Sequence, residues 1–265
     1  MAKVEAAWPE VEAALLRAAT LLQQFGYNER NLTAHSVIVP IAHYLHLRGA
    51  ADSYLDSTAD AADRRALHGW VTRSLIKRGI WGSGLDTTLM RIREVLTTNA
   101  TTSFPVEEVE AAMAAVGKGL SFTSAEIDEL LNLKYAGQRT FSVLSVLYPG
   151  LDLSKKFHED HIFPKSRFTR KRLAAAGIPS EKIDTYLDSF NLLPNLQLLA
   201  GTVNIEKQDT LPADWITAAF PTDEKRTSFL TDNDLDGLPL GIADFLQFYE
   251  GRKDRLRERL LKALG

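Results

Sequence analysis

Asp160-His161-Ile162-Phe163-Pro164 and Asn191-Leu192-Leu193-Pro194-Asn195-Leu196-Gln197-Leu198-Leu199 are the two stretches that set this chain apart from a plain helical protein. The first lies in a short strand candidate over 157–163 that Pro164 ends, because proline has no N–H to give to a ladder. The second reads as another strand or an extended turn. Between them a basic helix is expected over about 167–176, stopped by Gly177, and a further helix over about 180–189. A short helix over 202–209 follows, and the tail from 212 to 264 has helical texture. A strand–strand–helix unit at about 157–209 thus sits inside an otherwise α-helical chain.

Working outward, the first 150 residues carry helical periodicity only. Residues 9–25 place Pro9 at an N1 position with Glu10 and Glu12 in the first turn, and Gly26 as the stop. Further helices are expected over about 36–48, 59–78, 86–98, 105–116, 124–133 and 138–147, with no repeat of solenoid length. The expected fold class is mostly α, with a helical region over 1–149 and a second region over 150–265 that holds the strand–strand–helix unit.

The chain has 265 residues, 45% hydrophobic and 25% charged, so it can bury a sizeable core and lacks a disorder signature. The net charge of −3 excludes a globally basic nucleic-acid coat protein but leaves room for a local basic patch. No cysteine is present, which removes disulfides, thiolate-held metals and thiol nucleophiles together. Apolar runs fall far short of a membrane span and the N-terminus lacks a signal peptide's apolar core, so no membrane partner and a cytoplasmic location are expected.

An imidazole can take a proton from water near neutral pH, and a neighbouring carboxylate can hold a hard divalent cation. Asp160 and His161 therefore offer a general base and a metal ligand, the pair that phosphodiester hydrolysis needs. In a regular strand, adjacent residues point to opposite faces. The two can serve one site only where the strand twists or ends, and Pro164 makes an ending plausible.

Asp160-His161, then Asn195-Leu196-Gln197-Leu198-Leu199, then Asn204 and Lys207, resemble the HNH (His-Me finger) nucleases, whose site is a ββα-metal unit. More narrowly, His161-Ile162-Phe163-Pro164-Lys165 with Leu193-Pro194-Asn195-Leu196-Gln197-Leu198-Leu199 is similar to the C-terminal HNH domain of GmrSD-type enzymes. Those are modification-dependent restriction and phage-defence proteins, phosphorothioate-sensing ones among them. The resemblance implies a mostly α protein with an embedded HNH finger that is a metal-dependent DNA endonuclease or nickase. It implies that Asp160 and Asn204 bind one Mg²⁺ or Mn²⁺, that His161 activates water, and that Asn195 orients the His and braces the loop. Lys207, one helical turn past Asn204, could meet a phosphate or the developing charge. It further implies a nucleotide-hydrolysing sensor, N-terminal or separate, and nothing in this chain matches one, which suggests an effector fragment or subunit. Many HNH enzymes staple the finger with paired Cys-x-x-Cys zinc knuckles; here packing by Ile162, Phe163, Leu196, Leu198 and the flanking helices must replace them. Two alternatives stay open: a helical DNA-binding or regulatory module whose finger is silent, and an RNase.

A local basic patch agrees with a nucleic-acid substrate. Between 151 and 172, Lys155, Lys156, Lys165, Arg167, Arg170, Lys171 and Arg172 face Asp152, Glu159 and Asp160, a local balance of +4. Lys165, Arg167, Arg170, Lys171 and Arg172 are the candidate phosphate contacts. His158 has no matching family position and reads as a neighbour of the site or a substrate contact. His43 and His46 read as core or surface residues without a metalloprotease signature, and Gly117-Lys118-Gly119 lacks the frame of a phosphate loop. The Leu stripe of the Arg-rich tail at 252–261 is expected to pack on the body, with its Arg face free to add DNA contacts.

Overall fold

A computed structural model describes residues 2–99, 102–201 and 207–265. The chain divides into two units, Met1–Ser121 and Phe122–Gly265. The boundary therefore lies ahead of the expected 149/150 break. The two helices between those positions pack with C-terminal elements, and local periodicity carries no information about such distant partners.

The first unit holds five helices among its described residues: α1 (Ala2–Gln24), α2 (Ile38–Leu47), α3 (Ala61–Ile76), α4 (Leu85–Asn99) and α5 (Val106–Ala114). Pro9 lies inside α1 and not at its start. The alanine-rich turns before it favour helix strongly enough to continue through one missing N–H at an exposed position. Leu21, Ile41, Leu67, Trp70, Ile92 and Val109 are buried, each on the apolar face of its helix. Asp63 is buried too, and its carboxylate accepts from the hydroxyls of Tyr44 and Tyr54, from Arg48 and from the Phe104 amide. A charge taken out of water is tolerated here because four donors replace its hydration.

The second unit begins with α6 (Ser124–Leu131), opened by a capping box between Thr123 and Glu126, and α7 (Thr140–Leu147). Strand β1 (Phe157–His161) follows, then α8 (Arg170–Ala175), capped by Thr169, and α9 (Ser180–Ser189). A 3-10 turn at Leu193–Asn195 leads into β2 (Leu196–Ala200). Helices α10 (Pro212–Ala219), α11 (Asp223–Asp232) and α12 (Phe245–Leu264) complete it. The strands pair antiparallel, with Asp160 opposite Gln197 and His161 opposite Leu196. One apolar cluster gathers Ile162, Phe163, Phe168 and Leu173 from the segment after β1 with Trp215, Phe245, Phe248 and Tyr249. The whole is mostly helical, with a two-stranded sheet among the described residues, and no helix there is long and apolar enough to cross a membrane. Residues 202–206, most of the expected short helix, lie outside the described set.

The C-terminal tail departs from expectation in its arginines. Leu256, Leu260 and Leu264 are buried as the stripe foretells, but Arg252 is buried with them at 0% exposure. Arg255 donates to the carbonyls of Asp234 and Asp236, Arg257 pairs with Asp128, and Arg259 pairs with Asp234. These side chains tie α12 to its own unit instead of forming a free cationic face.

In the first unit, His68 stacks on Phe25 at 4.5 Å and its buried Nε2 has no hydrogen-bond partner among the described residues. Burial pushes its imidazole down from 6.5 to about 4. The unfolded chain protonates near 6.5 and the folded one only near 4, so this contribution to stability is complete above pH 6.5. It drains away as the pH falls through that interval. The gap is worth roughly 3 kcal/mol in total, about 2 kcal/mol of it by pH 5. Chemical denaturation at pH 7 and pH 5 should show that loss in the parent chain and its absence in His68→Leu. Equal acid sensitivity in the two would mean that His68 protonates freely in the fold.

Candidate functional site

Strand β1 ends at His161, where the Ile162 amide makes a last bond to the Asn195 carbonyl at 2.8 Å. Asn195 then fixes the exit from the strand. It is 0% exposed, its Oδ1 accepts from the Phe163 amide at 2.9 Å, and its Nδ2 donates to the carbonyls of Phe163 and Phe190. These bonds join the turn before β2 to the backbone that leaves β1. The ring of His161, however, is held by another asparagine: Nε2 lies 3.0 Å from Asn191 Oδ1. An amide oxygen only accepts, so Nε2 carries the proton and Nδ1 keeps the lone pair that can take one from water.

His161 is 7% exposed. Burial lowers its pKa first of all, opposed by the Asn191 bond and the Asp160 charge, and assisted by Lys207 and Lys165. The result is an imidazole kept neutral near neutral pH, as a general base must be. Tyr135 stacks on it with ring centroids 4.6 Å apart, and Phe190 lies beyond at 6.0 Å.

Asp160 keeps a different set of partners, as strand alternation requires. Its Oδ2 accepts from Gln197 Nε2 at 3.0 Å and from Lys207 Nζ at 2.8 Å. Lys207 is 1% exposed and also donates to the His161 carbonyl. Its ammonium therefore has no open path to a phosphate and acts inside the site, as a counter-ion to Asp160. Burial lowers the pKa of Lys207, against the carboxylate's pull.

The fit of a divalent ion can be tested on the donor chemistry. Gln197 is 1% exposed and its Oε1, on the amide that binds Asp160, is buried without a hydrogen-bond partner among the described residues. An unsatisfied amide oxygen beside a carboxylate is a hard-oxygen set of the kind Mg²⁺ or Mn²⁺ accepts. Among the described residues no group of three His, Asp or Glu side chains forms a metal site, and Asn204, the other expected ligand, lies outside them.

The expected phosphate contacts divide in two. Arg167 donates to the Asp209 carbonyl, Arg170 pairs with Asp184, and Arg172 donates to the Ser166 carbonyl. Lys165 and Lys171 are exposed and have no ion-pair partner among the described residues. His158 lies beside Gly201, where a Cβ would come within 3.2 Å of its Nε2. Asn191, Tyr135 and Gln197 were not assigned from sequence. Gln197 becomes visible only once the strand register puts it opposite Asp160, and nothing local marks Tyr135. No protein-family model matches the chain, and no curated protein matches it.

Asn195→Ala leaves the Phe163 amide and two carbonyls without partners in a dry interior, at about 1–3 kcal/mol for each orphaned group. The β1–β2 segment should lose roughly 3 kcal/mol or more of local stability, read as faster amide hydrogen exchange over 157–200. Unchanged protection there would remove Asn195 from its bracing role.

Proposed function

We propose that this chain is a metal-dependent DNA endonuclease or nickase of a restriction or phage-defence system, with His161 as the general base. One observation carries the reading. At the end of β1 a buried, neutral imidazole is fixed through Nε2 by Asn191, in electrostatic reach of Asp160 and of the exposed Lys165. The resemblance of Asp160-His161, Asn195 and Asn204 to the HNH motif supports it independently.

In the reaction, His161 Nδ1 takes a proton from a water molecule as the water oxygen bonds to phosphorus and the P–O3′ bond breaks. The 3′ alkoxide takes its proton from solvent. Asn191 holds the imidazole in the tautomer that leaves Nδ1 free, and Tyr135 and Phe190 fix the plane of the ring. Asp160 and Asn204 would hold one Mg²⁺ or Mn²⁺, which supplies Lewis-acid stabilisation of the phosphorane charge. The Lys207–Asp160 pair holds the carboxylate in one orientation. A nucleotide-hydrolysing sensor, in a longer chain or a separate one, would direct cleavage in the cytoplasm.

The same ion pair favours one competing reading, a silent finger on a DNA-binding module, because Lys207 already neutralises Asp160, the proposed metal ligand. Nicking of supercoiled plasmid, modified and unmodified, separates the two. The parent should relax plasmid with Mg²⁺ or Mn²⁺ and stop on chelation. His161→Ala should be slower by about 10²-fold or more with DNA binding intact. A parent without activity on any plasmid, or a mutant with parental rate, would sink the assignment.

Lys165 and Lys171 supply the second test. If they neutralise phosphates, each contributes about −0.9 to the slope of log affinity against log salt on duplex DNA. The Lys165→Ala, Lys171→Ala double variant should flatten that slope by roughly one to two in fluorescence anisotropy across a salt series. Arg170→Ala, which releases only the pair with Asp184, should change it less. A parental slope in the double variant would put the DNA on another surface.

A further inference from the structure

Four rings form a column through the finger. Tyr135 stacks on His161 at 4.6 Å, His161 on Phe190 at 6.0 Å, and Phe190 on Phe168 at 5.0 Å, with interplanar angles of 28°, 29° and 17°. The inner end is closed, since Phe168 is buried in the apolar cluster. The outer end is open: Tyr135 is 42% exposed.

The segment that presents Tyr135 is held at every step. The Tyr135 amide donates to the Asn191 carbonyl at 3.0 Å, and Lys134 bridges to Leu192. The Ala136 amide, in a residue with a φ of 55°, donates to Glu159 Oε2 at 2.7 Å. Gly137 has no room for a Cβ, which would lie 2.8 Å from both the Lys134 carbonyl and Thr140 Oγ1. A non-glycine residue with positive φ and a glycine with no space beside it are conformational costs. They are spent on holding one exposed ring in place against the general base.

We propose that Tyr135 is a stacking platform for a nucleobase next to the scissile phosphate, so that a bound base becomes the fifth ring of the column. This rests on the nuclease reading of His161. An aromatic face accepts any base, and a ring already ordered costs no further entropy to use. The base must have left its own stack to lie there, so the preferred substrate is single-stranded or locally unpaired DNA at the cut.

The experiment uses the full chain and synthetic single-stranded oligonucleotides, with one nucleotide at a time made abasic around the cleavage point. Tyr135→Phe should match the parent, while Tyr135→Leu, which can still cover His161, should lose roughly five- to a hundredfold in kcat/KM. The loss should fall mainly in KM, and anisotropy in chelator should show the same weakening of binding. In the parent, one abasic position should cost a similar factor; in Tyr135→Leu the same lesion should cost nothing more. If Tyr135→Leu cleaves and binds like the parent, or if variant and lesion losses multiply at every position, the ring does not stack on a base. A loss confined to kcat would make Tyr135 a positioning residue for His161 and overturn the proposal as well. A parent that cleaves while Tyr135→Leu keeps parental cleavage and binding overturns the platform alone. A parent that neither binds nor cleaves any oligonucleotide removes the nuclease reading beneath it.

Discussion

Three residues, Pro194 to Leu196, are where the second unit is tied together. The buried guanidinium of Arg252 donates to the carbonyls of Pro194 and Leu196 from one side, and also to Tyr148 and Asn233. Asn195 reaches from the other side to Phe163 and Phe190. A guanidinium stays charged and is costly to bury, so it holds only while its acceptors stay in place, and breaking such a set costs about 3–5 kcal/mol. The ties fix where β2 begins, the β1–β2 register follows, and the register sets which residues stand opposite Asp160 and His161. A chain without cysteine has no disulfide or thiolate-held metal to fix this region. An asparagine and an arginine hold it instead, with Ile162, Phe163, Leu196 and Leu198 buried around them.

The helices were legible because an apolar face of period 3.6 is a local property of the sequence. What a helix packs against is not local, and this is why α6 and α7 joined the C-terminal unit, α6 through contacts such as Arg257 with Asp128. Pro9 was misplaced for a different reason: a rule about helix starts met a segment whose alanines outweigh one missing N–H. Within the candidate site, Asp160, His161 and Asn195 stand out in the sequence by their order and spacing, and the structure places all three at one end of the β1–β2 pair. Asn191 stood in the quoted stretch without a role, because nothing short of the fold shows which asparagine reaches the ring. Arg252 did leave a signal. It lies four residues before Leu256, on the stripe continued by Leu260 and Leu264, and a basic residue in an apolar stripe points to a buried charge with carbonyl partners.

The electrostatics around β1 follow from the same burial. An ammonium and a carboxylate removed from water separately would each carry a heavy desolvation cost, and side by side they offset it. Lys207 and Asp160 do so at 2.8 Å, and the Lys207 bond to the His161 carbonyl ties that pair to the end of the strand. The neighbouring imidazole makes no ion pair among the described residues, and burial outweighs the Asn191 bond and the Asp160 charge and keeps it neutral. One stretch of backbone thus supports an ion-paired carboxylate and a neutral imidazole in consecutive positions. Strand alternation makes this possible by sending the two side chains to different partners.

The same burial limits how a nucleic acid could be held. Lys207 and Arg252 are enclosed, and Arg167, Arg170 and Arg172 are engaged with carbonyls or with Asp184. Of the five candidate phosphate contacts, Lys165 and Lys171 are the cations left to meet a backbone, and the exposed ring beside His161 is Tyr135. Both kinds of contact, point charge to phosphate and π-face to base, are indifferent to base identity. On the nuclease reading, the finger therefore carries chemistry and weak, general grip. Recognition of a particular sequence or modification must then be supplied by a partner or by a part of the protein other than this site, which is the division of labour that a sensor-coupled nuclease requires.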